Sequence, residues 1–240
     1  MTWKQKITRS FRIAGYDLTR YQPDRHPVAQ LMQLMRTHET GLVLDVGANR
    51  GQYALDLRAN GYRGRIVSFE PLRAAYDELS RMASADPHWD TRKVALGAKP
   101  GTSLINVAGN STSSSLLGML PAHENAAPDS RYVGTEEIEV ETLSRVLPEL
   151  QTGGGSIWLK IDTQGFEAEV LEGSSEVLDR IASVQLEMSL VPLYANAPTF
   201  GGLLQWMTER RFQLVGLQPG FADQQTGRLL QVDGIFHAER

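Results

Sequence analysis

The residues with the clearest claim to chemistry are Asp45, Gly47, Asn49 and Gly51, spaced two apart in the string Asp-Val-Gly-Ala-Asn-Arg-Gly, and Glu70, nineteen residues beyond the last of them. A glycine turn set between a short apolar run and a helix-forming stretch is the first turn of a nucleotide-binding α/β unit. An acid at the end of the next strand can accept both hydrogen bonds of a ribose diol, so loop and acid together predict a ligand containing adenosine. The composition of the loop narrows the ligand. A dinucleotide fingerprint needs Gly-x-Gly-x-x-Gly, and here the middle glycine is an asparagine; the phosphate-binding string Gly-x-x-x-x-Gly-Lys-Ser/Thr occurs nowhere. Asp45 would repel phosphate, but it suits a polar end that carries an ammonium and a sulfonium. S-adenosylmethionine fits best, with Asp45, Gly47, Asn49, Gly51 and Glu70 as its expected contacts.

A second group lies further on. Asp162 ends the apolar run Ser156–Ile161, and strand geometry puts Lys160 on the same face, two residues back. Moving a methyl group from a sulfonium to a hydroxyl depends on alignment and on removing the hydroxyl proton as charge develops on oxygen. Asp162 is the first candidate to take that proton or to orient the acceptor. Lys160 could lower the hydroxyl's pKa, or the two could be a structural ion pair. His123, in a polar loop, has the near-neutral pKa of a proton acceptor, although a lone loop histidine is expected to be solvated. Asn110, Ser113, Ser114 and Ser115 could hydrogen-bond a polyhydroxylated acceptor or the cofactor's polar end, or form a solvated turn. Asp162 and Glu187, at neighbouring strand ends, could hold a divalent metal ion, but no dense Asp/Glu/His cluster accompanies them and no metal ligand is assigned. Tyr194 follows the fifth strand, where an aromatic could stack on a sugar or simply pack.

These residues need strand ends to hold them. Leu42–Leu44 and Arg65–Phe69 are apolar runs too short for helices, so they read as buried strands; Thr91–Leu96 is expected to be the third and Ser156–Ile161 the fourth. Val184–Met188, Phe212–Gln218 and Leu229–His237 complete seven, with a hairpin connection at 221–227. Helical stripes fall at Val28–Thr37, after Gly51, at Leu72, Ala75, Leu79 and Met82, over Gly165–Leu178 with Glu167 outward, and over Phe200–Arg210. Right-handed crossovers then bring the carboxyl ends of the parallel strands to one edge, where the cleft must lie. Ala95, at the end of the third strand, falls where such folds wall an adenine.

Five blocks in order carry a resemblance: Leu-Asp-Val-Gly-Ala-Asn-Arg-Gly-Gln-Tyr-Ala, Ser-Phe-Glu-Pro-Leu, Val-Ala-Leu-Gly, the serine-rich Gly109–Leu117, and Leu-Lys-Ile-Asp-Thr-Gln-Gly-Phe-Glu-Ala-Glu-Val-Leu-Glu-Gly. The chain from about Gly41 onward resembles the FkbM-type methyltransferases. The resemblance implies a class I methyltransferase, Rossmann-like α/β fold with helices on both faces of a seven-stranded sheet and the last strand antiparallel. It also implies an S-adenosylmethionine-dependent O-methyltransferase acting on hydroxyls of sugars, glycolipids or polyketides.

Composition sets outer bounds. Twenty-four basic against 28 acidic side chains give a net charge of −4, which does not suit a chain that wraps nucleic acid with its whole surface. The absence of cysteine excludes disulfides, thiolate metal sites, iron-sulfur clusters and radical chemistry built on them. No run reaches the roughly 20 apolar residues of a membrane span, and no signal-peptide core is present, so a cytoplasmic location is expected. Residues 1–40 are expected to form a helical extension and 41–240 the catalytic domain. Within the extension Trp3, Ile7 and Phe11 make one helical stripe, and Lys4, Lys6, Arg9 and Arg12 make the helix basic. Two readings stay open: a brace folded back on the domain, or peripheral contact with an anionic membrane or a lipid-linked acceptor.

Overall fold

In the computed structural model, residues 3–13 and 15–239 are described. The first helix, α1 (Trp3–Ile13), is followed by α2 (Pro27–Thr37), β1 (Thr40–Val46), α3 (Gln52–Ala59), β2 (Arg65–Phe69), α4 (Arg73–Ala83) and β3 (Trp89–Arg92). After them come β4 (Ala95–Leu96), β5 (Gly101–Ala108), α5 (Pro121–Ala126), β6 (Tyr132–Glu141), α6 (Leu143–Val146) and β7 (Ser156–Ile161). The chain continues through α7 (Glu167–Glu172), β8 (Ile181–Ser189), α8 (Phe200–Glu209), β9 (Phe212–Pro219) and β10 (Gln231–Ala238). Seven strands form one sheet in the order β3-β2-β1-β7-β8-β10-β9; β10 pairs antiparallel with both neighbours, and the other pairings are parallel. This is the class I methyltransferase arrangement.

The apolar runs become strands because both faces of the sheet are covered, as parallel sheets require. Side chains alternate along β1: Leu42, Leu44 and Val46 join Val170, Leu171, Leu203 and Met207 of α7 and α8, whereas Val43 joins Leu31, Met32, Ala54 and Leu57 of α2 and α3. On β7, Leu159 and Ile161 take the first face and Trp158, fully buried, the second. The sheet is therefore sandwiched, and its polar residues are left at the carboxyl ends. No helix among the described residues is long and apolar enough to cross a membrane.

Several expectations are corrected. The third strand is not continuous: Trp89–Arg92 stays in the main sheet, while Ala95–Leu96 leaves it to pair with β6 in a second sheet ordered β4-β6-β5. The segment after it is a long antiparallel β5–β6 pair joined by the serine loop and α5. The helix expected over Gly165–Leu178 breaks into α7 and a 3-10 turn at Ser175–Arg180; between them a side chain on Gly173 would meet the Gly97 carbonyl, so the backbones touch there. Glu167, expected outward, is buried, and Met82, expected inward, is half exposed. In α1, Trp3, Ile7 and Phe11 are all exposed, and none of them belongs to a buried apolar cluster of the domain.

Candidate active site

The turn from β1 to α3 explains its own sequence. Gly47, Asn49 and Gly51 have φ of 78°, 48° and 90°, so every second residue is left-handed, and asparagine is among the few side chains that tolerate this. A Cβ on Gly47 would lie 1.9 Å from the Asp162 carbonyl oxygen, and one on Gly51 would strike the Trp89 ring. Glycine at 47 thus lets the β1 turn touch the end of β7. Gly47→Ala is expected to lower stability by ~2 kcal/mol and to shift Asp162, measured by urea unfolding and by loss of turnover.

Glu70 closes the turn from the neighbouring strand. Its Oε2 accepts the Asn49 N–H at 2.8 Å and its Oε1 the Leu72 N–H at 2.9 Å, leaving lone pairs toward the cleft it lines. Burial pushes its pKa up to about 7, against the pull of those two amides. The cleft encloses about 560 Å³, mouth included; Leu72, Val94, Ala95, Leu96 and Phe166 give it an apolar wall, and Ser111, Thr112 and Ser114 its rim. Ala95, Ser114, Gly47 and Asn49 all line this cleft.

Asp45, Gly51 and Ser115 line neither this cleft nor the next. Asp45 is fully buried beneath the turn, accepting from the Ser68 hydroxyl at 3.1 Å with Lys160 Nζ 3.5 Å away, so its expected contact with cofactor is replaced by a grip on Lys160. Gly51 is a packing glycine. Ser115 donates to the Gln164 carbonyl at 2.7 Å and positions that residue.

A second cavity of about 1160 Å³, mouth included, adjoins the first. Gly47, Asn49, Thr112, Asp162 and Gln164 line both. Asp162 Oδ2 lies 3.1 Å from Lys160 Nζ, and its Oδ1 accepts from Gln164 Nε2 at 2.8 Å. Burial disfavours the Lys160 ammonium, yet Asp162, Asp45 and Asp233 hold its pKa above the usual lysine value. Lys160 is therefore a fixed cation.

Gln164, which the sequence did not single out, is the hub. Its Nε2 donates to both Asp162 and Glu187, each at 2.8 Å, and its Oε1 accepts from the Tyr194 hydroxyl at 2.6 Å. Its φ of 57° shows a strained backbone held by these bonds. The divalent-ion expectation meets a neutral donor between the two carboxylates, and among the described residues no group of three or more His, Cys, Asp or Glu is gathered to hold a metal. Tyr194 is buried, so it packs and cannot present its ring to a sugar. His123 is also buried, not solvated: Nδ1 pairs with Ser130 Oγ at 3.0 Å and Nε2 with the Tyr194 hydroxyl at 3.3 Å. Both ring nitrogens are engaged and burial lowers its pKa, so His123 serves as cavity wall.

Glu167 caps the turn after Asp162, with Oε1 accepting the N–H groups of Thr163 and Gly165 at 2.9 and 3.1 Å. Burial raises its pKa to about 7 and that of Asp233 to about 6, the latter helped by Asp162. With Glu70, these groups hold protons in the folded chain that an unfolded chain releases nearer the ordinary 4.5 or 3.8. Their stabilisation is complete below the ordinary carboxylate range and is lost as pH rises through about 6 to 7. The ligand-free protein should melt roughly 5 °C higher at about pH 5.5 than at about pH 8 by differential scanning calorimetry.

The profile of the Methyltransferase FkbM domain matches residues 45–214, more than half of the chain, and spans the turn, Glu70, Asp162 and Gln164. The chain belongs to the FkbM methyltransferase family. It is 29% identical over 162 residues to Methyltransferase sdnD of Sordaria araneosa, covering 56% of this FkbM-family chain and 60% of that relative. Among solved structures, an rRNA methylase from Streptococcus thermophilus is similar at 12% identity and a TM-score of 0.45, over 90% of this chain and 98% of that one. Sp1610 of Streptococcus pneumoniae in complex with S-adenosyl-L-methionine is similar at 11% identity and a TM-score of 0.48, over 88% and 73%.

Proposed function

We propose that this FkbM-family chain is an S-adenosylmethionine-dependent O-methyltransferase whose acceptor is a hydroxyl of a sugar or glycolipid. The observation that carries the reading is the meeting of an apolar-walled cleft that holds Glu70 and a polar cavity at Asp162 and Gln164. The cleft suits the donor on its own residues: an apolar slot for a flat base, a half-used buried carboxylate for a diol, and a glycine turn with no room for a side chain at 47. S-adenosylmethionine supplies an electrophilic methyl on positively charged sulfur.

The chain's own groups do the rest. Glu70 has lone pairs free for ribose hydroxyls. Asp162, held from two sides by Lys160 and Gln164, accepts the hydrogen bond of the acceptor hydroxyl and draws its proton as charge builds on oxygen. Asn110, Gln185, Gln231, Glu187 and Asp233 offer alternating donors and acceptors over the second cavity, which favours a polyol over an apolar polyketide. Four acidic side chains against Lys160 in that cavity disfavour a polyanion, which speaks against nucleic acid. The test is a methyl-transfer screen over glycosides, glycolipids, polyketides and RNA, read by mass spectrometry. Asp162→Asn should lower kcat on the best acceptor by about 100-fold with little change in donor affinity. Best turnover on RNA or on an apolar polyketide would sink the reading.

A further inference from the structure

We infer that α1 is a docking element for an anionic lipid surface, separate from the two cavities. Seven of the thirteen exposed large apolar side chains lie within residues 3–21, and the other six are scattered over the rest of the described chain. Scattered exposure is ordinary, whereas a contiguous apolar set marks a contact surface. Trp3, Ile7 and Phe11 follow one another at helical spacing, and none of them joins any of the four buried apolar clusters of the domain.

Charge selects the occupant. Residues 1–16 contain Lys4, Lys6, Arg9 and Arg12 and no acid, while the remaining chain sets 20 basic side chains against 28 acidic ones. The body alone would be repelled by an anionic bilayer; the helix is drawn to it, which fixes which end approaches. Arg9 and Arg12 fall on the side of the helix away from the apolar stripe, as in a helix lying in a membrane interface with rings buried and cations among headgroups; Arg12 is paired with the exposed Asp17 at 2.9 Å, a weak surface contact that headgroups can replace. A second copy is a poorer cover, because apposing two such stripes brings two basic helices together. The strap to the domain is short and partly fixed: the Tyr21 hydroxyl donates to Asn60 Oδ1 at 3.3 Å, just beyond the end of α3, whose first turn lines the second cavity. A docked α1 is therefore tied to the body through the end of α3 opposite the turn that lines that cavity.

The experiment uses the full chain with vesicles of phosphatidylcholine alone and of phosphatidylcholine with phosphatidylglycerol at about 7:3, in low and high salt. Binding is read by flotation and by tryptophan emission; Trp3 is the exposed one, since Trp89 and Trp158 are buried and Trp206 is half-buried, so insertion should shift emission to the blue. We expect binding to the mixed vesicles only, falling at least about tenfold at high salt. Ile7→Ser with Phe11→Ser should remove both signals, and Arg9→Gln with Arg12→Gln should remove most of the anionic preference. Neither pair lines a cavity, so donor affinity should stay unchanged, which separates failure here from failure of the methyltransferase reading. No binding, equal binding to neutral vesicles, or a concentration-dependent dimer abolished by the Ile7/Phe11 variant would each overturn the inference.

Discussion

Glu70→Ala is expected to weaken S-adenosylhomocysteine binding by about 100-fold, measured by isothermal titration, because two hydrogen bonds to a charged acceptor are worth ~1.5 kcal/mol or more each. The loss has two parts. Glu70 faces the cleft, and it also pins the turn through the Asn49 and Leu72 amides. Glu70→Gln separates them, since an amide keeps an acceptor oxygen while giving up the charge. The buried carboxyl, with its pKa near 7, adds a pH signature. Only the ionised form accepts both ribose hydroxyls, so affinity should rise about tenfold from about pH 6 to about pH 8 in the wild type and stay flat in Glu70→Gln. An unchanged affinity in Glu70→Ala would remove the donor from this cleft.

Lys160→Met should be the most destabilising single change at the site, by ~3–5 kcal/mol in urea unfolding at neutral pH. The ammonium lies between Asp162 and the fully buried Asp45, and across the sheet the row Ser68, Asp45, Lys160 and Gln185 occupies paired positions on four strands. Without the cation, the Asp45 carboxylate is left desolvated, with the Ser68 hydroxyl as its remaining donor. Burial already pushes the Asp45 pKa up, so acid should partly rescue the variant by neutralising the carboxyl. Adding Asp45→Asn to Lys160→Met should restore most of the stability but not turnover. If the double variant is as unstable as the single one, Lys160 acts through packing and not through charge.

The parts of this molecule legible in the sequence are those governed by short-range rules. Arg65–Phe69 and Ser156–Ile161 are strands at the predicted boundaries because apolar runs of that length admit little else, and Glu70 and Asp162 fall at strand ends as that forces. The cofactor loop was readable because left-handed backbone leaves a composition trace at Gly47, Asn49 and Gly51. What escaped depends on contacts across the chain. Nothing local distinguishes Gln164 from a surface glutamine; its role comes from Tyr194 and Glu187, thirty and 23 residues away. Asp45 carried the right sign for a sulfonium, but its partner is Lys160, opposite it in register. The only hint for Glu167 was its place in the first turn of a helix after a glycine, where an acid can bind free backbone amides. The position of Ala95 survived even though its strand did not, because the chain still passes the cleft as it changes sheets.

The insertion of β10 between β8 and β9 bears on how the protein is made. In chain order β8 and β9 both precede residues 231–238, so until that last-made strand is in place each lacks a partner for one row of backbone donors and acceptors. The wall that holds Glu187, Gln231 and Asp233 is assembled only when that final ribbon threads between them. A chain ending before residue 231 should thus keep Glu70, Lys160 and Asp162 but lack Gln231 and Asp233 of the second cavity, and its unpaired strand edges should make it prone to aggregate.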